Sequence, residues 1–318
     1  MRKWWLILFL VWWWRPLPVS AAGAAITVTP QLTANQLGGN LGYFNLLVTP
    51  GRQQALTVVI ANRSDQPQRL KAQLTDAYTQ TNGQIGYDPQ TPPKQKGLVR
   101  LTKIGSPPVT LTIQPRQART VSFHVTPPAS GFDGQLLGAI YVQQEPGKEK
   151  TADSGLVIVE QFAMIVAVQL QTSSTLVAPK LKLASVELGP QQIVARIENS
   201  APRLFGGLTL KNQVRAEATG QTIMQTTSKA LAMAPNSVLA EQLPLKQTLA
   251  PGRYQVVITA QAGQYHWQLQ QSLLVPEAAK KKLPPIQAKA FANWRIIAMG
   301  IVLIGSLIWG YRVLRQRR

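Results

Sequence analysis

Alternating apolar and polar residues dominate the middle of the chain. Clear examples are Leu56-Thr57-Val58-Val59-Ile60, Val109-Thr110-Leu111-Thr112-Ile113 and Tyr254-Gln255-Val256-Val257-Ile258-Thr259. A period of two places successive side chains on opposite faces of a strand. Turn signals such as Asn82-Gly83 and Pro251-Gly252 separate these segments, and no long helical period precedes residue 290. Short strands with regular turns predict an all-β body of two immunoglobulin-like sandwiches.

A polar break divides this body into two halves. Glu145-Pro146-Gly147-Lys148-Glu149-Lys150 ends the first half, so we predict domains at 25–152 and 153–276. Each half is long enough to bury a core of its own. The apolar stretch from Gly155 to Gln171 is predicted to be a long buried strand, interrupted by Glu160 and Gln161. Its pattern leaves open whether it closes the first sandwich or opens the second.

The N-terminus has the features of a secretory signal. Arg2 and Lys3 precede an apolar run from Trp4 to Trp14, and small residues follow at 19–24. A helix of this run spans about 16 Å, which is too short for a hydrocarbon core of about 30 Å. We therefore predict a signal peptide at 1–24 that exports the body.

The C-terminus is predicted to anchor the protein in the membrane. Ile296 to Tyr311 carries no charge, and a helix begun at Phe291 would be about 31 Å long. We predict a Pro- and Lys-rich stalk at 277–293, a span at 294–311 and a basic cytoplasmic tail at 312–318. The export signal orients this single-pass protein with its body outside the cell. Residues typical of the membrane interface flank the span: Trp294, Arg295, Trp309, Tyr311 and Arg312.

The amino-acid composition limits the kinds of chemistry that the protein can perform. The 318 residues include 33 Lys and Arg against 13 Asp and Glu, two His and no Cys. The missing Cys excludes disulfides, thiolate zinc sites and thiol nucleophiles. We predict no cofactor, no metal site and no catalytic residues, because the few carboxylates form no recognisable motif. The body alone carries 21 basic and 12 acidic residues at 25–276, which favours an anionic partner. Its export argues against nucleic acid.

Several ordered strings resemble one known family. They include Gly42-Tyr43-Phe44-Asn45-Leu46, Phe132-Asp133-Gly134-Gln135-Leu136 and Met233-Ala234-Pro235-Asn236-Ser237. This set, with a signal, two β domains, one span and a basic tail, resembles the WxL-interacting proteins of Gram-positive surfaces. The resemblance implies a first domain that binds peptidoglycan and a second that binds host factors. It also implies partnership with secreted proteins that carry Trp-x-Leu motifs.

Candidate contacts for a wall polymer lie in the first half. Aromatic rings can stack on sugar faces, so Tyr43, Phe44, Tyr87 and Phe132 are candidates, with core packing as the alternative. Asp133 is a candidate ligand contact or a turn former. A basic loop with Lys94, Lys96 and Arg100 would attract anionic wall polymers, unless it is merely solvated.

These features together predict a membrane-anchored adhesion or scaffold protein that works by binding. Its partners would be peptidoglycan or another wall polymer, WxL-type surface proteins and host proteins. One alternative is an extracellular chaperone that donates a sheet edge to secreted proteins. Another is a wall hydrolase or its regulator, with Asp76 and Asp133 as the carboxylates to test.

Overall fold

A computed structural model describes residues 25–91, 99–145 and 162–277. Within these ranges the fold is all-β with two β domains, as predicted, and no helix is long and apolar enough to cross a membrane. The predicted signal peptide, stalk beyond residue 277, span and tail lie outside the described residues. So do Lys94, Lys96 and the interface anchors Trp294, Arg295, Trp309, Tyr311 and Arg312.

The first sandwich packs a three-stranded sheet against a five-stranded one. Its elements are β1 (Ile26–Gln31), β2 (Phe44–Leu47), β3 (Gln54–Asn62), β4 (Gln68–Asp76), the short helix α1 (Leu101–Ile104), β7 (Val109–Ile113), β8 (Ala118–Val125), β9 (Gln135–Gln144) and β10 (Ala163–Gln171). The sheet orders are β1-β3-β8 and β2-β10-β9-β4-β7. Alternate residues of facing strands, such as Leu56 and Ile140, are fully buried between the sheets, as a two-period pattern requires. A small hairpin, β5 (Tyr78–Thr79) and β6 (Ile85–Gly86), leaves the end of β4.

The second sandwich is built in the same manner from seven strands. The strands are β11 (Leu181–Leu188), β12 (Gln192–Asn199), β13 (Phe205–Ala216), β14 (Thr222–Met233), β15 (Ser237–Pro244), β16 (Gly252–Ala262) and β17 (Tyr265–Val275). One sheet has the order β11-β12-β15 and the other β14-β13-β16-β17. The core between them includes Ile197, Leu239 and Ile258, which are fully buried.

Strand β10 follows the break in the chain and returns to the first sandwich. It pairs antiparallel with β9 and parallel with β2. Residues 163–171, whose domain the sequence left open, are therefore hydrogen-bonded into the first sandwich, and the chain enters the second after Gln171. The pairing of this one strand does not test the domain limits 25–152 and 153–276, which stay predictions.

A buried asparagine ends the equivalent strand of each sandwich. Asn62 closes β3 and Asn199 closes β12, and both are almost completely buried. In each case Oδ1 accepts the backbone N–H two residues on, and Nδ2 donates to the carbonyl four residues on. Each Nδ2 also donates to a distant carbonyl, that of Ile113 or Ala234. Buried amides need such partners, so this repeated contact fixes how the chain leaves each core.

The hairpin β5–β6 joins the two sandwiches. Thr79 lies at its base, where its Oγ1 accepts a hydrogen bond from the Ala234 N–H at 3.0 Å and shares another with the Ser237 hydroxyl. At the tip, the Gly83 carbonyl accepts a bond from the Ala232 N–H. A small apolar cluster seals the contact: Ala77, Leu137 and Ala234, with Ile85, Tyr87 and Leu204 packed against them.

Gln135 makes the second connection, at the start of β9. Its backbone N–H donates to the Pro202 carbonyl at 2.7 Å, and its side-chain Oε1 accepts from the Leu204 N–H at 2.9 Å. The preceding residue, Gly134, has a φ of +65°, and a Cβ there would collide with the Pro202 carbonyl oxygen. Two constraints therefore require glycine at position 134: its positive φ and the close approach of the second sandwich.

We expect Gly134→Ala to lower the free energy of unfolding by about 2–4 kcal/mol, since backbone strain and overpacking add. The matched control is Gly39→Ala, because Gly39 has a φ of +75° and a Cβ added there would have no other atom within 4 Å. That variant should lose only about 1 kcal/mol. Scanning calorimetry of both full-length variants measures the difference. Equal losses would contradict a tight contact between the sandwiches.

Candidate inter-domain binding site

A cleft lies between the two sandwiches, next to the contacts of Gln135. Its volume is about 380 Å³, within the range of roughly 300–1,000 Å³ typical of ligand pockets. Both sandwiches line it. The first contributes Asp76, Ala77, Val99, Arg100, Gly131, Phe132, Asp133, Gln135, Leu136 and Leu137, and the second contributes Pro202, Pro235 and Asn236.

The loop before β9 carries the aromatic wall and one carboxylate. Gly131 has a φ of +72° and its N–H donates to the Pro128 carbonyl, which closes a turn. The Thr172 hydroxyl then donates to the Phe132 carbonyl at 2.7 Å. These bonds leave the Phe132 ring half-buried against the first core. The neighbouring Asp133 is exposed, and its carboxylate has no hydrogen-bonding partner within the described part of the chain.

Asp76, the second carboxylate of the cleft, is already hydrogen-bonded within the first sandwich. Its Oδ1 accepts the Thr102 N–H at 3.1 Å and its Oδ2 accepts the Thr102 hydroxyl at 2.6 Å. It thereby holds the first turn of α1 from the end of β4, a role that N-capping residues usually fill from within their own segment. Arg100 immediately precedes α1 and adds positive charge to this side of the cleft.

The second sandwich supplies the opposite wall through one tight turn. Asn236 follows Pro235 with a φ of +48°, a conformation that Asn tolerates better than most residues. Its backbone N–H donates to the Ala201 carbonyl, and the Ser237 hydroxyl donates to the Ala234 carbonyl. The turn is thus fixed by these bonds, which leaves the Asn236 amide side chain at the cleft.

The structure brings some of the sequence candidates together and separates others. Phe132, Asp133 and Arg100 line the cleft. Phe44 is fully buried in the first core, as the core-packing alternative for this residue expects, because on β2 its side chain faces the opposite sheet. Tyr43 is half-buried against the same core and Tyr87 packs in the cluster between the sandwiches. Neither tyrosine lines the cleft.

Two tyrosines of the first sandwich, Tyr87 and Tyr141, have raised pKa values. Burial raises the pKa of the Tyr87 phenol to about 12, with a smaller contribution from Tyr43. Burial also raises the pKa of Tyr141, followed by the effects of Asp88 and Tyr78. The phenols of Tyr87 and Tyr141 therefore stay neutral at physiological pH, and Tyr87 acts as part of the inter-domain contact.

Sequence reasoning assigned no contact to several residues of the cleft. Pro235 and Asn236 of the second sandwich, and Gln135 of the first, stand in strings that carried only the family resemblance, and Pro202 carried no signal. Elsewhere, Trp267 on β17 packs on the second core, with its ring centroid 6.0 Å from those of Phe205 and Tyr265. Among the described residues no cluster of side chains could hold a metal ion.

Two family models match the chain. Residues 26–144 match the peptidoglycan-binding domain of WxL-interacting proteins, and residues 153–284 match the host-binding domain of the same proteins. The chain belongs to the WxL-interacting protein family. Both models describe binding domains, and the resemblance that the sequence strings carried is confirmed. In this WxL-interacting protein, β10 falls within the second model although its hydrogen bonds lie in the first sandwich.

Solved structures show a more distant likeness, to several chaperones. The YadV chaperone is 12% identical, with a TM-score of 0.32, over 79% of this chain and 100% of the other. The SafB chaperone of Salmonella enterica, solved with the SafA pilin, is 11% identical with a TM-score of 0.32, over 78% and 96%. The CupB2 chaperone of Pseudomonas aeruginosa is 12% identical with a TM-score of 0.29, over 72% and 96%. A search of curated proteins found no match.

The raised pKa of Tyr87 predicts a loss of stability at high pH. Its phenol has a pKa of about 12 in the folded chain against 10.0 ordinarily, so its contribution is complete below pH 10 and disappears as pH rises from about 10 to about 12. Tyr87→Phe should flatten that part of the curve of unfolding free energy against pH, measured by chemical denaturation. Tyr265→Phe, on the edge strand β17, is the control. Identical curves for Tyr87→Phe and the wild type would contradict the assignment.

Proposed function

We propose that this WxL-interacting protein is a membrane-anchored surface scaffold. The first sandwich binds peptidoglycan, and the second faces WxL-type surface proteins and host proteins. The proposed order is a signal peptide at 1–24, the two β domains, a stalk at 277–293, a span at 294–311 and a cytoplasmic tail at 312–318. The protein acts by holding partners at the wall, without chemistry of its own.

The match to a peptidoglycan-binding domain and a host-binding domain carries this proposal. The geometry supports it, because the aromatic and carboxylate candidates Phe132 and Asp133 meet in one cleft. An aromatic face with a carboxylate beside it suits a sugar, whose ring has apolar C–H faces and hydroxyl edges. The excess of basic residues in the body assists through long-range attraction to an anionic wall.

The anchoring part of the proposal rests on the sequence. The apolar run near the end of the chain is flanked by Trp294, Arg295, Trp309, Tyr311 and Arg312, as interfacial positions require. A Pro-rich stalk is stiff enough to hold the sandwiches away from the bilayer. The sandwiches would then stand within the wall that the first of them binds.

We expect the full-length protein, purified in mild detergent, to sediment with insoluble peptidoglycan. Phe132→Ala should weaken retention about fivefold, since it removes the stacking surface. Phe162→Ala is the matched control, because Phe162 is 51% exposed on the same sandwich and does not line the cleft. Retention no better than that of a control protein of equal charge would contradict the proposal. Equal losses in the two variants would show that the cleft is not the contact.

A further inference from the structure

The cleft contains a polar group that the fold leaves without a partner. Gln135 as a whole is only 6% exposed, and its Oε1 is occupied by the Leu204 N–H. Its Nε2 has no hydrogen bond within the described part of the chain, and it is not among the buried polar atoms that lack a partner. The amide group therefore remains accessible, and because Gln135 lines the cleft, this donor is available to a ligand.

Two further polar side chains at the cleft have no partner among the residues that the structure describes. The Asp133 carboxylate comes from the first sandwich and the Asn236 amide from the second. Backbone turns set both positions: Gly131 and Gly134 have positive φ around Asp133, and Asn236 itself has one. These turns fix the backbone at the cleft without consuming the hydrogen-bonding groups of the two side chains.

Most of the remaining lining is apolar. The Phe132 and Pro235 rings bound the cleft and Leu136 and Val99 line its first-sandwich side, whereas Asp76 and Arg100 are charged. A ligand that uses the apolar walls and the three unpaired side chains would present an apolar face, hydroxyl donors for a carboxylate and a carbonyl acceptor for amide N–H groups.

We propose that the cleft binds an N-acetylated amino sugar of the wall glycan, held by side chains from both sandwiches. The sugar's C–H face packs on Phe132, its hydroxyls donate to Asp133, and its acetamido carbonyl accepts from Gln135 and Asn236. This inference rests on the proposed function and adds to it a ligand class and a requirement for the second sandwich. The cleft volume of about 380 Å³ suits a mono- or disaccharide, so the cleft binds one or two sugar units of the glycan.

The participation of both sandwiches is the feature that sets this site apart from binding by the first domain alone. Asn236 lies about 100 residues beyond Asp133 in the chain, and the contacts of Thr79 and Gln135 bring the two together. A ligand that bridges them would bind more tightly when the sandwiches are held in this arrangement, and would hold them there in return.

The test is calorimetric titration of the full-length protein in mild detergent with the disaccharide of N-acetylglucosamine and N-acetylmuramic acid. Cellobiose, which lacks acetamido groups, is the ligand control. Asp133→Asn keeps the shape of the side chain, and Asn236→Gly suits the positive φ while removing the amide. The control variants are Asp65→Asn, at an aspartate that pairs with Arg116, and Asn40→Gly, neither in the cleft lining.

We expect Asp133→Asn and Asn236→Gly each to weaken disaccharide binding about tenfold, with unchanged affinity in both control variants and no binding of cellobiose. If Asn236→Gly binds like the wild type, the second sandwich takes no part and the proposal is overturned. If the wild type sediments with peptidoglycan but does not bind the disaccharide, the proposed function stands and the cleft assignment fails. If neither is bound, both fail.

Discussion

The hydrogen bonds of Gln135 to the second sandwich hold the two halves of the cleft against each other. At the start of β9, the Gln135 N–H donates to the Pro202 carbonyl at 2.7 Å, and the Gln135 Oε1 accepts from the Leu204 N–H at 2.9 Å. The loop that carries Phe132 is thereby brought opposite the turn that carries Asn236. Without this contact each sandwich would keep its own core, but the cleft would lose one wall.

The small hairpin β5–β6 reinforces that contact from the other side. Thr79 buries its hydroxyl between Ala234 and Ser237, and the Ala234 carbonyl also receives the amide of Asn199. One turn of the second sandwich is therefore bound both by its own buried asparagine and by the first sandwich. Removing either partner would leave a buried polar group unsatisfied, which is costly in a protein interior. This turn, which both sandwiches hold by hydrogen bonds, lies beside the cleft.

The sequence predicted the strands well because their cause is local. Alternation over Val109–Ile113 predicts a strand, and the structure has β7 at those residues. It also named Phe132 and Asp133, which line the cleft, since an aromatic residue and a carboxylate between two glycines stand out before a strand. It did not separate Phe44 from a surface aromatic, because which face a strand buries depends on the opposite sheet. Nor could it place Asn236 at the cleft, because that position arises from a contact across about 100 residues.

The most direct test of a shared site is a crystal structure of the protein with the disaccharide of N-acetylglucosamine and N-acetylmuramic acid. A shared site predicts one sugar ring on Phe132, with polar contacts to both Asp133 and Asn236 and an unchanged arrangement of the two sandwiches. A disaccharide bound to one sandwich alone, with no contact to Asn236, would contradict it.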